Sequence, residues 1–192
     1  MTKTRLEAFS DGVLAIIITI MVLELRVPHG NEWEDLLPLA HEFLSYLFSF
    51  VFIGIYWGNH HHLLHTVRHV TSGIIWSNML LLFFLSLIPF ATAWMGENSF
   101  GDTTVAAYAT LLLLCGSGYY VLQSSIRKHH HFPPALDKAM KKQAVKGIIS
   151  QIAYAISIPV AFLFPPASAL LFVFVAVLWI IPDKNIENAL KE

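Results

Sequence analysis

Charged residues are scarce in this sequence. Asp, Glu, Lys and Arg together make up 13% of its 192 residues, whereas soluble domains carry about 25%. Hydrophobic residues account for 56% of the chain, and the mean hydropathy is +0.61. This composition excludes an ordinary soluble globular domain and indicates an integral membrane protein.

Cysteine and excess positive charge are also lacking. The single cysteine, Cys115, excludes an intrachain disulfide and a cysteine-rich metal site. The chain has 12 Lys and Arg against 13 Asp and Glu, which gives a formal net charge of -1. It therefore has no global basic field of the kind that holds nucleic acid.

Long apolar runs are present instead. A hydrocarbon core about 30 Å thick takes about 20 helical residues to cross. The runs predict an all-α integral membrane fold, in which residues 1–192 form a single domain of six transmembrane helices. The predicted spans are 5–27, 38–62, 73–95, 104–126, 145–164 and 166–182.

The positions of the basic residues orient this bundle. All Lys and Arg except Arg26 fall at the N-terminus, in the loops after the second and fourth spans, or at the C-terminus. Acidic residues collect with Arg26 on the other side. Because cytoplasmic loops carry the excess of Lys and Arg, both termini are predicted to lie in the cytoplasm.

The first span is unusually short between its charges. Residues 12–23, between Asp11 and Glu24, are uncharged and amount to about 18 Å of helix. Charged side chains inside a membrane need polar partners or water. We therefore expect this helix to lie centrally, shielded from lipid by protein.

The first helix also has a distinct apolar stripe. At 100° per residue, Phe9, Ile16, Ile20 and Leu23 fall on one side, with Thr19 among them, whereas Glu7 and Asp11 lie opposite. The polar side is expected to contact other helices of the protein. The stripe then meets lipid, another helix or a symmetry axis, and ordinary helix packing is the simplest alternative.

Residues 5–11 have the form R-x-x-x-F-S-D and open the first span. The motif and the five spans that follow resemble the transmembrane protein 175 family, which comprises lysosomal potassium channels and their bacterial relatives. The resemblance covers essentially the whole chain. Further agreement comes from polar and proline residues in the second and third spans, namely Trp57, Asn59, His60, His61, Asn78 and Pro89.

The resemblance implies a potassium-preferring cation channel in the bacterial inner membrane, with no cofactor and no enzymatic activity. The length matches the single-repeat bacterial form, which assembles as a homotetramer with the first helices lining the pore. That form has no re-entrant filter loop, and this sequence contains no T-V-G-Y-G. Selectivity for the permeant K⁺ would then come from side chains.

Within a tetramer, the stripe residues would form rings around the axis. Ile16, Ile20 and Leu23 would stack as three apolar rings, which can gate by dewetting. Potassium is less tightly hydrated than sodium, so an apolar constriction favours it, and the resemblance implies that Ile16 is the narrowest ring. The Thr19 hydroxyl would either line the path or bond back to its own helix.

Glu24 follows these rings on the acidic side. Four such carboxylates would concentrate cations at the outer mouth of the pore. The alternative is an ion pair between Glu24 and Arg26 of different subunits.

The motif residues have a different expected task. The resemblance implies a network between the motif, the second helix and neighbouring subunits, so that the motif positions the pore helix and does not bind ions. The expected clamp is Arg5, Phe9, Ser10 and Asp11, and its expected partners are Trp57, Asn59, His60, His61 and Asn78.

Histidine is enriched, with 10 residues. A spacing of four would place His61, His65 and His69 on one helix face, a geometry that can bind zinc. A second cluster spans residues 129–131. A zinc enzyme, or a secondary ion or metal transporter, is therefore the competing class. No acidic ligand lies in either cluster and H-E-x-x-H is absent, so we predict no metal site; a pH-sensing role stays open.

Overall fold

The structure is a computed structural model, and it describes residues 1–130 and 132–180. His131, the end of the sixth predicted span and the C-terminal lysines Lys184 and Lys191 lie outside the described residues. Helices dominate, and the described ranges contain no strand. They are α1 (Lys3–Leu23), a 3₁₀ helix (Trp33–Leu39), α2 (Ala40–His65), α3 (Ser72–Ser86), α4 (Ile88–Glu97), α5 (Asp102–His129), α6 (Pro134–Leu163) and α7 (Pro165–Ile180).

These helices have the length and composition of membrane spans. Five segments qualify within the described chain: α1, the 3₁₀ helix with α2, α3 with α4, α5, and α6. Helix α7 is equally apolar but has only 16 residues, which is about 24 Å of helix. The all-α membrane fold predicted from the apolar runs is confirmed.

The third predicted span, 73–95, is not one continuous helix. Helix α3 ends at Ser86 and α4 begins at Ile88, so that Pro89 lies in the first turn of α4. Proline lacks a backbone N–H and its ring clashes with the preceding turn, which ends a helix before it. Pro159, in contrast, lies inside α6 without ending it.

Helix α6 begins at Pro134, well before the predicted start at residue 145. The extra turns carry charged residues that the hydropathy pattern passes over. Asp137 lies 2.8 Å from Lys141 Nζ and 3.2 Å from Arg127 Nη2. The pair with Lys141 is four residues apart in the same helix, and such pairs stabilise a helix by about 0.2–0.5 kcal/mol. Helix α6 therefore extends beyond the apolar run at its N-terminal end.

Helix α5 lies at the centre of the bundle. It packs against α3, α4, α6 and α7, and its Tyr108, Leu112, Cys115 and Leu122 are wholly buried. Helix α1 instead packs against α2, α3 and α4 at one side of the bundle. One side of α1 is therefore left uncovered by its own chain.

A candidate pore helix and its motif network

The apolar stripe of α1 faces outward along its whole length. Ile16 is 58% exposed, Leu23 80% and Phe9 49%, and Ile20 and Thr19 are also exposed. An alanine-like Cβ built at Gly12, on the same face, would meet nothing within 4 Å. This stripe is thus available to lipid, to another subunit or to a pore axis.

The opposite side of α1 is mainly apolar, contrary to the expectation of a polar side. Its buried residues are Leu6, Ser10, Leu14, Ile17 and Met21. Close packing of apolar side chains holds helices together in a membrane. This side of α1 can therefore pack on its neighbours with one buried hydroxyl among apolar side chains. Glu7 and Asp11 lie half-buried at the edges, where they reach polar groups of α2.

Thr19 bonds back to its own helix. Its hydroxyl donates to the Ile16 carbonyl oxygen at 2.9 Å, one of the two roles weighed from the sequence. Because the hydroxyl proton is used in this bond, the side-chain oxygen presents only lone pairs to the exposed face.

An ion-pair cluster holds the segment that follows the C-terminal end of α1. Arg26 bonds to Glu97 at the end of α4, and its Nε lies 3.9 Å from a Glu42 oxygen at the start of α2. The bond to Glu97 raises the pKa of Arg26. Glu24 is exposed, and its carboxylate has no partner among the described residues. Within one subunit, Arg26 is therefore engaged away from Glu24.

Three buried polar side chains connect α1, α2 and α3. The Asn78 amide nitrogen donates to Ser10 Oγ at 2.9 Å, Ser10 donates to the Leu6 carbonyl at 2.9 Å, and His60 Nε2 lies 2.7 Å from the Asn78 oxygen. All three are essentially inaccessible to solvent. Since the Asn78 nitrogen is used on Ser10, its oxygen accepts, and the network assigns a proton to His60 Nε2.

Three further contacts tie the N-terminal end of α1 to α2. The Trp57 indole N–H donates to an Asp11 oxygen at 3.1 Å. Glu7 lies 3.8 Å from Lys3 Nζ and 4.0 Å from His65 Nδ1, and Lys3 donates to the His65 carbonyl at 2.7 Å. These contacts restrain the rotation of α1 about its own axis.

Other predicted motif residues lie elsewhere. Arg5 and Phe9 are exposed, and the Arg5 side chain has no partner within the described chain. Asn59 turns away from the motif: it donates to the Ile55 carbonyl at 2.8 Å and accepts from Gln143 at 3.4 Å. His61 stacks on His65, with ring centres 5.9 Å apart.

The assignment of Asn59 to the motif is thus wrong within one subunit. Successive residues of a helix point about 100° apart, and Asn59 points toward Gln143 of α6 while His60 points toward Asn78. Asn59 joins a second polar group that the sequence reasoning missed. Gln143 donates to Tyr119 Oη at 3.2 Å and accepts from Gln123 at 2.9 Å. The signal in the sequence that could have predicted this group is the presence of amide side chains in or beside apolar runs.

The histidines of the first cluster do not share one helix face as their spacing predicts. Helix α2 ends at His65, so His69 lies past the helix and leaves the face that His61 and His65 share. His130 Nε2 instead accepts the backbone N–H groups of Arg68 and His69, at 3.1 and 3.2 Å. No group of three or more His, Cys, Asp or Glu in the described ranges is placed to hold a metal ion.

Together these features define a multi-pass α-helical membrane protein whose first helix is anchored on one side and uncovered on the other. The family model described as the endosomal/lysosomal potassium channel TMEM175 matches residues 5–89. A protein of Chryseobacterium sp. (strain P1-3) that is named a potassium channel is 48% identical over the full length of both chains. The chain therefore belongs to the TMEM175 family of channels, which are not enzymes.

Other relatives agree with this assignment. A crystal structure of a lysosomal potassium-selective channel TMEM175 homologue from Chamaesiphon minutus superposes with a TM-score of 0.78, at 27% identity, covering 94% of this chain and 97% of that one. An endosomal/lysosomal proton channel TMEM175 of Gallus gallus is 37% identical over 53% of this chain and 23% of its own length.

Proposed function

We propose that this protein is a potassium-preferring cation channel of the bacterial inner membrane. In this proposal four subunits assemble around an axis lined by α1, with both termini in the cytoplasm. The observation that carries the proposal is the continuous outward-facing stripe of α1, set on a helix that is anchored from behind. The names of the full-length relative and of the superposable structure support the choice of ion.

The constriction would consist of side chains, without a filter loop. Ile16, Ile20 and Leu23 project from the stripe at successive turns, so four copies form three apolar rings. An ion passing such a ring loses part of its hydration shell without new ligands, which costs K⁺ less than Na⁺. Dewetting of the same rings provides the closed state. Between the Ile16 and Ile20 rings, the lone pairs of the Thr19 hydroxyl oxygens are the polar groups that an ion meets.

The outer mouth would be acidic. Glu24 follows Leu23 and has no partner in its own described subunit, because Arg26 is held by Glu97 and Glu42. Four unpaired carboxylates at this level raise the local concentration of cations. The alternative, a Glu24 pair with Arg26 of a neighbouring subunit, requires Arg26 to leave these partners.

The motif would position the pore helix. The buried bonds from Asn78 to Ser10 and His60 fix α1 against α2 and α3, and the Trp57 bond fixes Asp11. Arg5 and Phe9 remain exposed on the side of the stripe, where a neighbouring subunit would meet them. The competing function is a secondary ion or metal transporter, which liposome flux rates far below those of a channel would reveal.

Planar-bilayer recording of the purified protein tests the proposal. Under opposed K⁺ and Na⁺ gradients, we expect a reversal potential near that of K⁺. The I16N variant places polar amides in the ring and is expected to conduct more and to prefer K⁺ less. The matched control is I156N, which makes the same change at an exposed isoleucine of α6. Unchanged conductance and reversal potential in I16N would remove Ile16 from the path.

A further inference from the structure

One imidazole ring holds the connection between α2 and α3, residues 66–71, against the end of α5. His130 Nε2 accepts the backbone N–H groups of Arg68 and His69, at 3.1 and 3.2 Å. Neither N–H group has another hydrogen-bond partner within the described chain. His130 is half-buried, and Phe132 stacks on its ring with the ring centres 5.9 Å apart. A single side chain therefore binds two backbone donors of a segment that is neither helix nor strand.

These hydrogen bonds define the protonation state of His130. Its other ring nitrogen, Nδ1, lies 3.0 Å from the Ile126 carbonyl oxygen. Because a carbonyl oxygen only accepts, Nδ1 carries the proton, and Nε2 must be unprotonated to accept the two N–H groups. Turning the ring by 180° would put carbon atoms in both places and lose all three bonds. The arrangement therefore fits one neutral tautomer and excludes the imidazolium, in which both nitrogens donate.

The charges around the ring are mostly basic. The segments that meet at His130 carry the charged or titratable groups Arg68, His69, Arg127, Lys128, His129 and Asp137, and His131 beside it lies outside the described residues. Asp137 is the one acid of this group, and its carboxylate is bonded to Arg127 and Lys141. A second proton on the ring would point at two backbone N–H groups without a carboxylate to compensate it. Protonation therefore requires Nε2 to leave both groups for water.

The direction of the pH effect follows from this proton count. The bonded state takes up no proton at Nε2, whereas the released state does, so a fall in pH favours release. Histidine changes its charge between about pH 5 and 8. At its other end the connection follows His65, whose carbonyl oxygen accepts from Lys3 and whose ring lies 4.0 Å from a Glu7 oxygen. The connection thus lies between His130 and the N-terminal end of α1.

We propose that His130 is an acid-sensitive latch, whose neutral ring holds the connection of residues 66–71 on α5 and whose protonation at Nε2 releases it. The held connection supports the N-terminal end of α1. In the proposed channel the latch therefore makes conduction depend on pH, and this second part rests on the proposed function.

Amide hydrogen exchange of the purified protein in detergent tests the latch. The readout is the protection factor of the Arg68 and His69 amides, corrected for the intrinsic pH dependence of exchange. We expect this protection to fall about tenfold from about pH 7.5 to about pH 5.5, because a free imidazole, which titrates near pH 6.5, becomes mostly protonated over this range. Equal protection factors at the two pH values would overturn the proposal.

Two substitutions of His130 separate the acceptor from the charge. H130Q supplies an amide oxygen that accepts N–H groups and does not titrate in this range, so it is expected to retain the protection at both pH values. H130A removes the acceptor and is expected to show low protection at both. The control is H129A, because His129 Nδ1 bonds to the Ser125 carbonyl of its own helix, and it is expected to behave like the wild type. Wild-type pH dependence in H130Q, or its loss in H129A, would overturn the assignment to His130.

Planar-bilayer recording tests the link to α1. When the pH is lowered on the side of the connection, wild-type currents are expected to approach those of H130A at neutral pH, whereas H130Q currents are expected to stay constant. Constant wild-type currents together with pH-dependent exchange would overturn the link to α1. A wild-type protein that carries no current at any pH would contradict the proposed function, and the exchange result would still decide the latch.

Discussion

At the scale of single residues, Asn78 is the best-connected side chain of the candidate site. It uses its nitrogen on Ser10 and its oxygen on His60, so α1, α2 and α3 meet at one amide. Both partners are buried, so neither can replace this hydrogen bond with one to water. A buried group that loses its partner costs about 1–3 kcal/mol.

We therefore expect N78L to lower the free energy of unfolding by about 1–3 kcal/mol. The measurement is unfolding of the purified protein in detergent. The control is S77A, because the adjacent Ser77 hydroxyl bonds only to the Gly73 and Ile74 carbonyls of its own helix. A loss in N78L no larger than that in S77A would show that the three-helix bond carries no stability.

Thr19 gives a second test at this scale. T19V keeps the shape of the side chain but removes the oxygen from the stripe. Because Ile16 is the proposed constriction, whereas T19V changes one oxygen between the rings, we expect a smaller shift of the reversal potential than in I16N. T19S, which keeps the hydroxyl, is expected to match the wild type. A larger shift in T19V than in I16N would make Thr19 the main selectivity residue.

Some neighbours of the motif residues could be predicted from the sequence and others could not. His60 and Asn78 were grouped from the family resemblance, and they do lie 2.7 Å apart. The same resemblance implies Asn59 as a partner, but neighbouring positions on a helix differ in direction by about 100°, and Asn59 bonds to Gln143 instead. The bond of Arg26 to Glu97 joins residues 71 positions apart, and the sequence pattern contains no signal for it.

At the scale of helices, the ion-pair cluster at the C-terminal end of α1 connects three elements. Arg26 follows α1, Glu97 ends α4 and Glu42 lies in the first turn of α2. The Arg26 and Glu97 side chains are about half exposed, so water and salt screen their attraction. The cluster orients the C-terminal end of α1 more than it stabilises the fold.

A charge exchange tests this connection. R26E and E97R are each expected to destabilise the protein slightly, and the R26E/E97R double variant is expected to recover part of the loss. The coupling measured at low salt should be about 0.2–1 kcal/mol and should decrease in 1 M salt. Glu34, an exposed acid in the 3₁₀ helix with no such partner in the described structure, provides the control variant E34R. Coupling of equal size between R26E and E34R would exclude a specific Arg26–Glu97 bond.

Most helices could be predicted, because each needs an apolar run that is long enough to cross the membrane. The exceptions have physical causes. Pro89 divides α3 from α4 although hydropathy is continuous across it, and a hydropathy pattern does not register a missing N–H. The first turns of α6 are polar and are held by Asp137, so they lie outside the apolar run that defined the span.

At the scale of the whole molecule, the uncovered side of α1 is where the proposed subunits would meet around the axis. Phe9 and Arg5 lie at its N-terminal end. Large aromatic side chains contribute strongly to subunit interfaces. The assembled state, and not the fold of one subunit, should therefore depend on Phe9.

We expect F9A to lower the fraction of tetramer in native mass spectrometry while leaving the helical content unchanged. F162A is the control, since Phe162 on α6 is similarly exposed but lies outside α1. Equal tetramer fractions for F9A, F162A and the wild type would place Phe9 outside the interface. A loss of tetramer in both would indicate a general effect of removing aromatic surface.

The apolar character of the outward side of α1 affects how the subunits assemble after insertion into the membrane. A single newly inserted chain can expose Ile16, Ile20 and Leu23 to lipid at little energetic cost, since acyl chains solvate them as well as another helix does. Monomers can therefore persist in the bilayer and find each other by diffusion, after their own folding is complete. Conductance per cell should then rise more steeply than in proportion to expression, because association follows mass action.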